Sequence, residues 1–109
     1  MTIAEALKAI NIYPITDNTI EKICIDRGLD HTAEYTQTIG QSDAYILATA
    51  DTYFYLGTAP NIVEQEVGIN SAIAIKKKLC DEADKIYGGY DDPKFSGNTY
   101  GFVGENYNG

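Results

Sequence analysis

His31 is the only histidine in the chain and the side chain best suited to act as a general base or a metal ligand. It lies in a polar segment with no nucleophile pattern around it, so we interpret it as a solvated loop residue. Asp30, His31 and Glu34 offer two carboxylates and one imidazole, a set that can bind a divalent ion. No second cluster supports such a site. An EF-hand loop starting at Asp30 fails because Tyr35 and Gln41 replace the required glycine and glutamate. We therefore predict no metal site.

The other catalytic and cofactor patterns are incomplete. Cys24 and Cys80 fall at apolar positions of predicted helices, so we interpret them as buried, reduced thiols, with a disulfide or a reactive thiol as the alternative. The glycine-rich run after residue 87 lacks the Gly-Lys-Ser/Thr ending of a phosphate-binding loop and follows a helix instead of a strand. We predict no catalytic residues and no cofactor. An enzyme built around His31 or a cysteine is the least favoured alternative.

The charge of the chain is strongly acidic. Sixteen acidic residues against eight basic ones give a net charge of −8. This balance argues against specific nucleic-acid binding, which needs a basic patch to neutralise phosphates. Residues 39–70 contain four acids and no base, so we expect one part of the surface to be purely acidic. These acids are Asp43, Asp51, Glu64 and Glu66.

Two groups of residues are candidates for contact with a partner or a second subunit. The basic run Lys76, Lys77 and Lys78 is followed by acids, which predicts a salt-bridged solvent face. The alternative is a contact for an acidic partner, such as the 39–70 region of a second copy. Tyr53, Phe54 and Tyr55 occupy successive helix positions about 100° apart and cannot all face one core. We assign Phe54 to the core, and Tyr53 or Tyr55 to the helix edge or to a contact with another chain.

The hydrophobic periodicity that would position these residues predicts an all-α fold, a small bundle or orthogonal array of four helices. The predicted helices are about residues 3–11, 17–27, 41–57 and 71–87. Thr2 and Glu5 have capping-box spacing at the first, and the predicted N-terminal caps of the others are Asp17, Ser42 or Gln41, and Asn70 or Ser71. The connection at 61–69 alternates imperfectly and predicts either a short β-ribbon or an irregular loop.

The domain organisation predicted is a helical domain at 1–89 and a Gly/Tyr-rich C-terminal arm at 90–109. Tyr100 and Phe102 alternate across glycines, as an extended segment would present two anchors to a groove or sheet edge. The alternative for this arm is a frayed terminus. No apolar run is long enough to span a bilayer, and the N-terminus lacks the features of a signal peptide, so we expect a cytoplasmic protein without membrane contacts.

Three stretches resemble a known group of proteins: "ICIDRGLD", "ATADTYFYL" and "ADKIYGGYDDP". Together with their surroundings, about residues 1–93, they resemble small proteins encoded by phages and prophages of gut bacteria. The order of elements is similar to that of head–tail connector, or head-completion, proteins of long-tailed phages. Those are small helical subunits that form a ring beneath the portal.

The resemblance implies a non-enzymatic structural subunit of virion assembly with no catalytic residues to carry over. It implies a homo-oligomeric ring that contacts portal and tail proteins, present in the cytoplasm during assembly and then in the virion. An acidic surface would suit a channel through which DNA slides without binding. The alternative from another class is a small acidic adaptor or inhibitor that binds a host protein.

Overall fold

Six helices make up the computed structural model, which describes residues 1–96. They are α1 (Ile3–Ala9), α2 (Asp17–Asp26), α3 (Gln37–Gly40), α4 (Asp43–Thr58), α5 (Ile62–Val67) and α6 (Ile69–Gly89). The all-α prediction is confirmed: within residues 1–96 the only β-type pairing is an isolated bridge between Thr2 and Glu34. The prediction of four helices is too simple, because the short helices α3 and α5 occupy two of the predicted connections.

The local signals at the first two helices are mostly confirmed. Thr2 and Glu5 form the predicted capping box, with each side chain accepting a hydrogen bond from the backbone N–H of the other, at 3.1 and 2.7 Å. At α2 the cap is Thr16, not Asp17, since the Thr16 hydroxyl accepts the N–H of Thr19. Gly28 ends this helix with φ +76°, a conformation that favours glycine.

The predicted β-ribbon at 61–69 is wrong, and the segment is not an irregular loop either. Residues 62–67 form α5, in which only Val63 is fully buried. The alternation of the sequence therefore does not reflect one buried face of a strand. Gly68 separates α5 from α6 with φ +86°, and α6 follows at once from Ile69 without a side-chain cap. The prediction that Asn70 or Ser71 caps this helix is also wrong, because the helix already begins at Ile69.

Helix α4 lies at the centre of the fold and contacts every other helix. Its closest approach is to α6, where a side chain added at Gly57 would meet Cys80 Sγ at 2.6 Å and the Lys76 carbonyl oxygen at 3.0 Å. Ile75 and Leu79 of α6 are only partly buried. The residues of α6 that are buried are Ala72, Cys80, Ala83, Asp84 and Tyr87.

The apolar core has two parts on either side of α4. The larger part joins α1, α2 and one face of α4, and its most enclosed members include Leu7, Ile20 and Leu56. The smaller part lies between α4 and α6, where Ala50, Ala83 and Tyr87 are buried. This division lets three successive aromatic residues of α4 all be partly buried, because they face two different clusters.

After α6 the chain reverses and residues 90–96 lie against the helices. Asp91 adopts φ +52° at the turn. The Phe95 ring lies over Gly88, where an added Cβ would be 2.8 Å from it. The backbone N–H of Ser96 donates to Asp84 at 2.7 Å. The start of the predicted arm is therefore attached to α6.

Candidate functional site

A cluster of charged side chains lies at the junction of α2, α4, α6 and the turn after α6. Arg27 donates two hydrogen bonds to Asp51, at 2.7 and 2.9 Å, and one to Asp92 at 2.7 Å. The Tyr87 hydroxyl donates to Asp51 at 2.6 Å, and the Lys94 ammonium lies 3.1 Å from the same carboxylate. The Asp51 side chain is only 4% exposed and that of Arg27 only 14%. We call these five residues the ion cluster.

The ion cluster balances its own charge. Burial alone would raise the pKa of the Asp51 carboxyl, but hydrogen bonds from Arg27, Tyr87 and Lys94 outweigh it, and the pKa lies below its usual value. The hydrogen bond from Arg27 likewise lowers the pKa of Asp92. Burial, reinforced by the bond to Asp51, raises the pKa of Tyr87, so its hydroxyl stays protonated. Two carboxylates therefore face two cations, with no net charge left over.

The sequence did not reveal this cluster, and it corrects one expectation about the surface. Asp51 was assigned to a purely acidic surface, yet it is buried and paired. A second acid of the same region, Glu64, is paired with Lys76. A signal for Asp51 existed: it lies between buried Ala50 and Thr52 in the most apolar helix of the chain. A carboxylate at such a position needs buried partners, because an unpaired buried charge is very costly.

A groove runs between α6 and the connection from α1 to α2, and two of the predicted contact residues line it. Tyr53 of α4 and Lys78 of α6 both face this groove, which has a volume of about 350 Å³. Its remaining walls are mostly apolar, formed by Ile10, Ile12, Tyr13, Ile75 and Leu79, with Asn11 and Glu82 completing the lining. Ile12 is 86% exposed on its rim. An apolar groove with a charged margin has the make-up of a protein-contact surface.

The other predicted contact residues lie elsewhere. Tyr55 lines a second groove, beside Lys94 of the ion cluster. Lys76 is held 2.8 Å from Glu64, and Lys77 is 2.9 Å from Asp81, as the salt-bridged interpretation of this run predicts. Lys78 makes no ion pair within residues 1–96. Tyr100 and Phe102 lie outside the described residues.

The residues considered for metal binding or catalysis do not come together. Asp30 accepts hydrogen bonds from Thr32, Glu34 lies 3.3 Å from the N-terminal amine, and His31 Nε2 is 3.7 Å from Glu21. Within residues 1–96 no group of three or more histidine, cysteine, aspartate or glutamate side chains could hold a metal ion.

The two cysteines are both buried, as predicted, and no bond joins them. Burial raises the pKa of the Cys24 thiol and of the Cys80 thiol. Both side chains are therefore held in the protonated form, which is a poor nucleophile.

The fold and these surfaces define a small all-helical protein with a buried ion cluster and an open apolar groove. None of the helices described is long and apolar enough to cross a membrane. The chain belongs to a family of unknown function, DUF6706, whose model matches residues 1–87. No curated protein and no solved structure matches the chain.

Proposed function

We propose that this protein is a non-enzymatic structural subunit of phage virion assembly, a head–tail connector that forms a homo-oligomeric ring. The observation that carries the proposal is the groove, where Tyr53 and Lys78 lie among exposed apolar residues. Such a surface has the composition of a protein contact. The context comes from the resemblance of residues 1–93 to small phage and prophage proteins and from an order of elements similar to that of head–tail connectors. Its partners would be further copies of itself and portal or tail proteins, first in the cytoplasm and then in the virion.

The alternative of an acidic inhibitor has less support than the composition suggests. Of the four acids in residues 39–70, Asp51 is buried in the ion cluster and Glu64 is paired with Lys76. Fewer unpaired carboxylates of this region therefore remain for a partner to contact. The same pairing weakens the argument that this region repels DNA in a channel.

The proposal is tested by looking for the protein in particles. Virions from an induced lysogen that carries the gene should contain the chain in several copies per particle, detectable by quantitative mass spectrometry. Deletion of the gene should leave filled or empty heads that lack attached tails in electron micrographs. Normal tailed particles from the deletion strain would contradict the proposal. Genes for portal, capsid and tail proteins should also flank it.

A further inference from the structure

An apolar ridge lies where α5 meets α6 and is formed by Val67 of α5 and by Ile69 and Ile73 of α6. Ile69 is 72% exposed and Ile73 is 68% exposed, and their spacing of four places them side by side on the helix. Helix α4 packs Gly57 against Lys76 and Cys80 and ends at Thr58. The first turn of α6 therefore extends past the end of α4, and this ridge has no cover within residues 1–96.

The ridge and the groove lie on opposite sides of α6. Ile69 and Lys78 are nine residues apart, which at 3.6 residues per turn is two and a half turns. Adjoining copies that use both surfaces must therefore meet head to tail, with the ridge of one against the groove of the next. A heterologous contact of this kind closes into a ring or extends as a filament.

Within residues 1–96, the charges beside the two surfaces that lack an ion pair are opposite in sign, since Glu82, which also lines the groove, lies 3.4 Å from Lys85. Glu66, which adjoins the ridge at Val67, is exposed and makes no ion pair within residues 1–96. Lys78, at the groove, is the lysine of its run without an intramolecular partner there. Complementary charges of this kind fix the register of an interface.

We infer that the ridge of one copy docks into the groove of the next copy, with Glu66 facing Lys78. This contact would be the subunit interface of the proposed ring, so the inference rests on the proposed function. The apolar ridge fills a groove of matching character, while the ion pair sets the direction of the chain of subunits.

The first experiment measures self-association of the full chain by sedimentation velocity over a concentration series. The ridge variant Ile69→Ser/Ile73→Ser should raise the apparent dissociation constant at least roughly tenfold. Ile25→Ser is the matched control, since Ile25 is 61% exposed on α2 and belongs to neither surface. It should associate as the unmodified chain does. Circular dichroism spectra check that each variant is folded.

The charge pair is tested by reversal. Glu66→Lys and Lys78→Glu should each weaken association, because each places like charges opposite one another, and the double variant should restore it.

A head-to-tail contact makes one more prediction. A mixture of the ridge variant with Ile12→Ser/Lys78→Glu should give a one-to-one complex and nothing larger, since only one intact interface remains.

The outcomes separate this inference from the proposed function. If the ridge and charge variants associate as tightly as the unmodified chain does, the inference alone is overturned. If the variants weaken association as expected but the chain is absent from virions, the proposed function alone is overturned. A chain that stays monomeric at every concentration overturns the inference, and the virion and deletion experiments then decide the proposed function. If removal of residues 97–109 abolishes the effect of Lys78→Glu, the groove binds that segment and the inference is overturned.

Discussion

Asp51 is the residue on which the polar contacts of this protein converge. Its carboxylate accepts hydrogen bonds from three other side chains while lying within the α4 face that packs against the core. Removing one partner from such a buried pair costs far more than the net value of the pair, because an uncompensated charge remains. The ion cluster should therefore dominate the response of the fold to single substitutions.

Arg27→Met tests this expectation. The variant leaves Asp51 and Asp92 close together without the guanidinium between them, and it should lower the free energy of unfolding by about 3 kcal/mol or more. Lys22→Met is the control, since Lys22 pairs with Asp26 on the surface and an exposed pair contributes at most about 0.5 kcal/mol. Urea denaturation of both variants gives the comparison. Equal losses would show that burial of the ion cluster has no special cost.

The ion cluster also predicts how stability depends on pH. The pKa of Asp51 is lowered in the folded protein below its usual value of 3.8. Its contribution to stability is therefore complete above that value and is lost as the pH falls through the folded-state pKa. Asp51→Asn should make the fall in unfolding free energy between about pH 5 and pH 2 shallower. A slope that Asp51→Asn does not alter would contradict the pKa assignment.

At the scale of helices, the α4–α6 contact depends on small residues. Gly57→Ala places a methyl group 2.6 Å from Cys80 Sγ and 3.0 Å from a backbone oxygen, so the helices must separate. We expect a loss of about 1–3 kcal/mol, measured by thermal or urea unfolding. Gly89→Ala, where an added Cβ meets nothing within 4 Å, should leave stability unchanged or raise it by up to about 1 kcal/mol. A stabilised Gly57→Ala variant would mean that the packing is looser than described.

The helices that the sequence predicted well are those with strong local signals. The Thr2–Glu5 capping box, Ser42 as the cap of α4 and the glycine after α2 act within a few residues of each other, so they can be recognised without the fold. Helix α5 was missed because its stability comes from burying Val63 and from the Glu64–Lys76 pair, both tertiary contacts.

The candidate site could likewise be predicted only in part, because tertiary contacts assemble it. Tyr53 and Lys78 were selected by residue type, but only the packing of α4 against α6 brings them to one groove. The ion cluster could not be predicted, since it joins residues from Arg27 to Lys94 across four parts of the chain. The burial of Asp84 and Tyr87 on α6 has the same origin, because the fold brings a hydrogen-bond partner to each of them.

At the scale of the whole molecule, residues 92–96 should contribute to the stability of the fold although they follow the last helix. A chain ending at Asp91 loses the Asp92 carboxylate, the Lys94 ammonium and the Phe95 ring. A chain ending at Ser96 keeps all three. We expect the shorter chain to be less stable by about 2 kcal/mol or more than the longer one, since Arg27 loses a buried partner. Equal unfolding midpoints in urea would contradict this.

The position of Asp92 and Lys94 also has a consequence for biosynthesis. A ribosome delivers the helices in order, so Arg27 and Asp51 leave it well before the residues that complete their ion cluster. Arg27 and Asp51 can pair with each other at once, but their contacts with Asp92 and Lys94 form only after residues 92–94 have been made. A chain that stops before Asp92 would keep the Arg27–Asp51 pair but lose its outer partners, and it would open more readily to proteases. Synthesis of residues 92–94 is therefore the step that completes the ion cluster.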